Sequence, residues 1–309
     1  MITSTLPAGS RAGVAEVAGT EDPRSSALLE VTELTVRYGG AAAPAVRSAS
    51  FTIGRGERVA LVGESGSGKS TLGMAVAGFL TAPGAEVCAE RIAFEGDPVV
   101  RPAGSRIPVR TAGISMVFQD AMTSLDPVAT IGSQLRTVLG AVERLPRRAA
   151  VAQAEEWLHR VGLTDTRRVM RARPYELSGG MRQRVMIALA LCGRPRLVIA
   201  DEPTSALDAS LAKATMELLL ELSRDLGTSL LIVSHDIHLC AAYSDRMFVM
   251  YHGEIVEQLR SVSALADARH PYSTGLLQCV PTLDDARRDT LPTLDEVMAR
   301  AALPEVRAG

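Results

Sequence analysis

Lysine is nearly absent from this sequence of 309 residues: Lys69 and Lys213 are its two copies, and arginine carries the other basic positions. Together with abundant alanine, that reads as a coding bias rather than a binding surface, and it makes the placement of Lys69 informative. Charge of one sign is lacking too. A net charge of -2 gives no reason to expect nucleic acid as a bulk partner. The four cysteines, Cys88, Cys192, Cys240 and Cys279, form no CxxC pair and no His-Cys spacing. Four such residues in so long a chain are no disulfide framework, and reduced, mostly buried thiols are the expectation. No apolar run reaches the length that spans a bilayer. The opening MITSTLPAGSRAGVAEVAGTEDPRSS lacks a basic start followed by an apolar run, which excludes a secretory signal. Its Ala, Gly, Ser and Thr predict a disordered leader over residues 1–27. These absences predict a soluble, cytosolic chain that can still dock on something in the membrane.

What is present is ordinary globular material, 47% apolar and 22% charged, with ample length for a core. LLEVTELTVRYGG and FTIG alternate like short antiparallel strands. ERVALVG and AGISMVF are apolar strands, the second ending at Gln119, and TLGMAVAGFL is helical. From about Ile131 to Pro174 the apolar positions follow helical spacing and predict a helical insertion. RLVIAD and SLLIVSH, with a helix between them, have the pattern of a parallel sheet. MFVMYHGEIVEQ predicts a hairpin turning at His252-Gly253. From about Ser263 a Pro-, Asp- and Arg-rich tail follows, and no internal repeat is found.

The chemistry concentrates first in GESGSGKS: Gly63, Glu64, Ser65, Gly66, Ser67, Gly68, Lys69 and Ser70, continuing into Thr71. It fits G-x-x-x-x-G-K-[ST] between a strand and a helix. Glycines let successive amides curl round a phosphate chain, and the helix dipole adds to the attraction. Lys69 is placed to reach the β- and γ-phosphates, and the Ser70 hydroxyl to ligate Mg²⁺. VIADEP supplies the second half: Asp201 ends an apolar strand where a carboxylate can hold Mg²⁺ directly or through water, and Glu202 can orient or deprotonate an attacking water. Two acidic residues at a strand end are, alone, as well read as ordinary surface. Gln119, His235 and Tyr38 are likewise anonymous singly: a surface amide, a satisfied histidine, a packing tyrosine. ELSGGMRQRV poses a further question. Ser178 can cap a helix whose first residues, Gly179 and Gly180, leave amides uncovered, which makes a second anion site in one chain.

The ordered set of Tyr38, GESGSGKS, Gln119, LSGGM, the strand ending DEP, SALD and His235 resembles the ATPase subunit of ATP-binding-cassette (ABC) transporters, across about Leu28 to Gln258. The resemblance implies an α/β fold: a RecA-like P-loop core with a parallel sheet, an N-terminal antiparallel β subdomain and an inserted α-helical subdomain. It implies an ATPase domain over 28–262, the helical part near 121–192, and a C-terminal extension over 263–309. By it Tyr38 stacks on adenine, and Gln119 contacts Mg²⁺ and senses the membrane subunit. Asp201 supports the metal, Glu202 acts as general base, Asp208 lies in a loop communicating between subunits, and His235 holds the γ-phosphate. Ser178, Gly179 and Gly180 cap the γ-phosphate held by the opposing subunit, so ATP is shared head-to-tail.

FQDAMTSLDPVATIGSQL, SGGMRQRVMIALAL, VMYHGEIVEQ and HPYSTGLLQCVP resemble the oligopeptide/dipeptide/nickel importer branch. That implies two membrane permease subunits, an extracytoplasmic solute-binding protein, a place at the cytoplasmic face of the cell membrane and no nucleic-acid partner. Met181 looks like the first type of ATPase subunit, which implies a different chain as its mate. On its residues alone, the HPY segment is a solvated tail. Departures are Ala121 for a usual proline, Asp126 for asparagine, Tyr175 for histidine, and a lone Cys279 where some relatives carry a cluster, which argues against an iron–sulfur centre. Two other functions compete with this one. A soluble ABC ATPase acting on DNA or ribosomes calls for a coiled-coil interruption or two cassettes, and neither is present. Against an exporter ATPase stand the Met181 signature and the HPY segment.

Overall fold

A computed structural model describes residues 27–99, 110–120, 124–142, 145–205 and 207–278. Two sheets organise it. In the first, β1 (Ala27–Arg37) and β2 (Val46–Gly54) run antiparallel, as predicted, with Val31 opposite Phe51 and Leu34 opposite Ala49. Three short strands complete it: β4 (Glu86–Cys88), β5 (Arg91–Phe94) and β6 (Asp97–Pro98), in the order β2–β1–β5–β6 with β4 also on β1. None was predicted. Strands of two to four residues are too short for alternation to register.

The second sheet has the order β11–β10–β3–β9–β8–β7. Its members β3 (Arg58–Val62), β7 (Ile114–Val117), β8 (Leu197–Asp201), β9 (Ser229–Ser234) and β10 (Arg246–Tyr251) are parallel. β11 (Glu254–Arg260) folds back antiparallel across His252 and Gly253, both at positive φ (46° and 89°), the geometry of a tight hairpin turn. The apolar runs are continuous because both faces are covered. Val59 and Leu61 join one core with β1, β2 and α1 (Lys69–Ala77), while Ala60 and Val62 join another with the helices opposite. Leu231 and Val233 face the first core, and Leu230 and Ile232 the second.

Helices α2 (Ile131–Val142), α3 (Arg147–Arg160) and α4 (Thr166–Arg171) fill the predicted insertion and pack on one another, and α2 and α3 pack on α5 (Gly179–Cys192). α5 is apolar on nearly every side because it is buried on nearly every side. α6 (Ala209–Leu226) links β8 to β9, and α7 (Ile237–Tyr243) links β9 to β10. The fold is the α/β class predicted.

Several expectations change in detail. β1 begins at Ala27, one residue inside the predicted leader; the rest of the leader, Ala121 and Cys279 lie outside the described residues. Cys192 and Cys240 are buried, with burial raising the Cys192 thiol to about 12, but Cys88 is exposed on the short strand β4. The chain after Ser263 is not simply a solvated tail. It forms α8 (Ala264–Asp267) and α9 (Pro271–Gln278), and Tyr272 in α9 is wholly buried.

Candidate functional site

The strand order sets up the site. Four neighbouring parallel strands, β3, β9, β8 and β7, present their carboxyl ends side by side, where ligands bind in open α/β sheets. Gly63 follows β3, His235 follows β9, Asp201 ends β8 with Glu202 next, and Gln119 comes two residues after β7. Gly63, Gln119, Glu202 and His235 line one cavity of about 710 Å³, with Tyr38 and Thr71 on its wall, and Asp201 reaches it through its hydrogen bond with the lining residue Ser70.

The loop from Gly63 to Gly68 owes its path to glycine. Gly63, Gly66 and Gly68 have φ of 153°, 82° and 105°. A Cβ on Gly63 would stand 2.1 Å from the Met250 carbonyl oxygen, and one on Gly68 would stand 2.2 Å from that of Ala45. Gly68 begins α1 with no side-chain cap, so the first amides of that helix are left for a ligand. Behind the loop, Gly253 N–H donates to the Ser67 carbonyl (2.9 Å). The Lys69 ammonium donates to the carbonyls of Gly63 (2.8 Å) and Glu64 (2.7 Å) and to Ser67 Oγ (3.4 Å). Burial pushes its pKa below the usual lysine range, against the pull of the Glu202 and Asp201 carboxylates.

Ser70 Oγ donates to Asp201 Oδ1 at 2.9 Å. Asp201 is 6% exposed, and burial raises its carboxyl above the ordinary range, against the Ser70 hydrogen bond that lowers it. Among the described residues no cluster of three or more His, Cys, Asp or Glu could hold a metal by itself. A hydroxyl beside a carboxylate suits a different ion: Mg²⁺, which takes one or two protein oxygens and completes its shell with phosphate and water. The donor set fits.

Glu202 sits at φ 44°, a sparsely populated region for a non-glycine residue. Its backbone N–H is tied to the Val233 carbonyl (2.8 Å), and its carbonyl accepts from both the backbone N–H and Oγ of Ser205 (3.2 Å each). The side chain, 17% exposed, takes Gln119 Nε2 at 3.2 Å on one oxygen and His235 Nδ1 at 3.0 Å on the other. A carboxylate only accepts, so the imidazole proton sits on Nδ1 and Nε2 is left over. Three residues from three separate loops thus form one hydrogen-bonded group. Tyr38 stands at the far wall, its hydroxyl 3.0 Å from Thr71 Oγ1.

Ser178, Gly179, Gly180 and Asp208 are not in this cavity. Ser178 caps α5, its Oγ accepting from Met181 N (3.3 Å); Asp208 caps α6, accepting from Leu211 N (3.0 Å). Gly180 packs against Leu211, so the two helix starts adjoin each other, with Ser178 and Gly179 exposed. Two residues in the wall were not anticipated, Ala45 and Leu276, and Tyr272 stands directly behind the loop, donated to by Glu64 N–H (2.9 Å).

Comparison with known proteins agrees with this geometry. The ABC transporter family profile matches residues 46–205. The oligopeptide transport ATP-binding protein OppD of Bacillus subtilis is 40% identical over 275 residues, 88% of this chain and 76% of that protein. The dipeptide transport ATP-binding protein DppD of Haemophilus influenzae is 40% identical over 84% of this chain and 80% of its own length. Among solved structures, cbiO1 from Clostridium perfringens, part of the ABC transporter complex cbiONQ, superposes with a TM-score of 0.65 at 30% identity, covering 78% of this chain and 92% of that one. The order of its motifs, its fold and its similarity over most of its length place this chain among relatives of one kind: it belongs to the ABC transporter family.

Proposed function

We propose that this chain binds and hydrolyses ATP to drive an ABC importer for peptides or a related small solute of the oligopeptide/dipeptide/nickel class. The observation that carries the reading is the convergence of the phosphate loop, Lys69 and the Glu202–His235–Gln119 group on one cavity. The loop amides and Lys69 hold the β- and γ-phosphates, with phosphate oxygens replacing the Glu64 carbonyl and Ser67 Oγ at the ammonium while the Gly63 carbonyl keeps its bond. Tyr38 stacks on adenine. Ser70, Gln119 and Asp201 are the residues that would hold Mg²⁺, which supplies charge neutralisation at the phosphates. Gln119 donates through Nε2 and keeps its oxygen for that purpose. Glu202 takes a proton from the attacking water as its oxygen bonds to the γ-phosphorus and the bridge to the β-phosphate breaks. His235 steadies Glu202 by donating from Nδ1, and its imidazolium form, in which both ring nitrogens donate, holds the γ-phosphate through Nε2–H.

The reading divides the chain into an ATPase domain over 28–262, its helical part near 121–192, and an extension over 263–309. Ser178, Gly179 and Gly180 act on the nucleotide of a second ATPase subunit, a different chain by the character of Met181, and Asp208 communicates across that junction. The exposure of Ser178, Gly179 and Asp208, away from this chain's own cavity, supports the arrangement. Among the described residues no helix is long and apolar enough to cross a membrane. In this reading, attachment at the cytoplasmic face runs through two permease subunits, with a solute-binding protein on the other side. Kinship with oligopeptide and dipeptide transport ATP-binding proteins supports the solute class.

The test is to purify the chain with its membrane partners and compare ATPase rates. Glu202→Gln is expected to bind ATP and hydrolyse it at least roughly a hundredfold more slowly, as loss of a general base implies. Near-normal turnover in the complex would remove Glu202 from that role, and full activity from a demonstrable monomer would break the shared site. Peptide-loaded binding protein is expected to stimulate the complex; indifference to peptides excludes that solute class.

A further inference from the structure

One peptide unit joins Gly63 to Glu64, and both its ends are occupied. Its carbonyl accepts from Lys69 Nζ at 2.8 Å, and its N–H donates to the Tyr272 hydroxyl at 2.9 Å. Lysine and tyrosine therefore hold opposite ends of the same rigid plane. If that plane turns, the carbonyl that sets the position of the ammonium turns with it. Tyr272 is 0% exposed, and its ring stacks on Tyr251 at 4.1 Å between centroids and 29° between planes. Tyr251 ends β10, and the carbonyl of its neighbour Met250 is what denies Gly63 a side chain. Burial raises the Tyr272 hydroxyl to about 12, so it remains a neutral partner for the amide.

Each residue of His270-Pro271-Tyr272 has a local part in delivering that hydroxyl. Glu257 on β11 accepts the backbone N–H of Arg269 (2.7 Å) and of His270 (3.3 Å), pinning the entry to α9. His270 Nδ1 accepts the N–H of Tyr272 (3.2 Å), an imidazole serving as helix cap, and Pro271 occupies the first helical position, where its missing N–H costs nothing. Leu276, one turn beyond Tyr272 on the same helix face, reaches the cavity wall. The segment lies outside residues 46–205 yet touches the phosphate loop from behind and the cavity from the side.

We propose that Tyr272 is a positioning residue of the nucleotide site: its hydroxyl fixes the Gly63–Glu64 peptide and, through it, Lys69, while Leu276 completes the wall. This rests on the ATP reading above and adds the C-terminal segment to the working part of the molecule.

The test uses the full chain and titrates ATP by calorimetry, with thermal melting alongside. Tyr272→Phe keeps the ring and its stack and removes the hydroxyl. It is expected to melt within a few degrees of the parent and to bind ATP about five- to tenfold more weakly, the scale for an orphaned amide donor. Leu276→Ala is expected to show a smaller loss. In a Lys69→Met background, adding Tyr272→Phe is expected to change affinity less than about twofold, because the two side chains act through one peptide. In the assembled transporter the expected signature is a raised KM for ATP at unchanged kcat. ATP affinity of Tyr272→Phe within about twofold of the parent overturns the proposal. So does an equal loss in both backgrounds, which would make the tyrosine a structural clamp. Failure of the parent chain itself to bind ATP instead defeats the ATP reading, so the two failures are distinguishable.

Discussion

Among the described helices, α1 and α5 both start beside glycine, and the resemblance between them is superficial. α1 begins at Gly68 with φ 105° and no side chain to cap it, behind a loop whose glycines are pressed against backbone carbonyls. α5 begins after Ser178, whose own hydroxyl caps it. Neither Gly179 nor Gly180 has a positive φ, and a Cβ on Gly179 would meet nothing closer than the Arg182 guanidinium at 4.0 Å. At the first helix, glycine is demanded by the chain's own geometry. At the second, Gly179 has room for alanine, while a Cβ on Gly180 would press on Leu211 at 3.3 Å, so nothing within the chain requires the bare backbone at Gly179. That supports reading Ser178–Gly180 as half of a site completed by another subunit. The cations differ as well: Lys69 at the first helix is buried and bound to the carbonyls of Gly63 and Glu64, whereas Arg182 at the second is half-buried and bound to the Leu177 carbonyl.

Paired alanines break this comparison most sharply. Gly68→Ala is expected to weaken ATP binding by the isolated chain roughly a hundredfold or more, since positive φ and a 2.2 Å approach to Ala45 force the loop to move. Gly179→Ala is expected to leave that binding unchanged and to raise helix stability slightly. It should nevertheless cut ATPase activity of the assembled complex by at least roughly tenfold, through misplacement at the shared phosphate. Calorimetry on the single chain and turnover in the complex separate the two. Loss of ATP binding by isolated Gly179→Ala would mean that α5 serves its own chain's nucleotide.

A cap replacement comes next in size. Ser178→Ala removes the hydroxyl that accepts from Met181 N and is expected to cost about 1 kcal/mol, seen as a lower urea midpoint in the absence of nucleotide. Saturating ATP is expected to restore nothing specific to this variant, because the nucleotide caps α1. Wild type and variant should gain equal stabilisation, about 2.7 kcal/mol at a hundred times Kd. A larger gain in one of them would couple the two helix starts within a single chain.

These contrasts also show what a one-dimensional reading can reach. The buried parallel strands were legible because both faces are covered, which makes them continuous apolar runs, and the loop was legible because its glycines and lysine are consecutive. The hairpin at His252-Gly253 announced itself by turn chemistry. What escaped depends on contacts between distant positions. β4, β5 and β6 exist by pairing along β1 rather than by any pattern of their own. Tyr272 lies 208 residues from the amide it accepts, and nothing in HPYSTGLLQ is periodic enough to show which face is buried. The signal was available only in the spacing of Tyr272 and Leu276, one turn apart. The hydrogen bonds of Glu202 to Gln119 and His235 were similarly invisible, although all three residues had been singled out one by one.

The smallest effect concerns what stands behind the loop. β3, which delivers it, is fastened at its start by Asp245, whose carboxylate accepts from Arg58 at 2.5 Å and 3.2 Å and from its backbone N–H at 2.9 Å. Burial lifts the Asp245 carboxyl, but the hydrogen bonds and charge of Arg58 outweigh it and hold the pKa below the ordinary range. A carboxyl with a depressed folded pKa contributes stability above its unfolded value near about 3.9, and that contribution is lost as pH falls through the folded value. Both partners are substantially exposed, so the contribution is expected to stay under about 1 kcal/mol. Asp245→Asn should therefore unfold at slightly lower urea than the parent at pH 7, and the gap should close as the pH drops below about 4. ATP affinity should barely move, because the loop end of β3 is held separately by Gly253 and Tyr272. A clear loss of affinity in Asp245→Asn would show that the rigidity separating the phosphate loop from the α5 start is inherited from the whole strand rather than built at its carboxyl end.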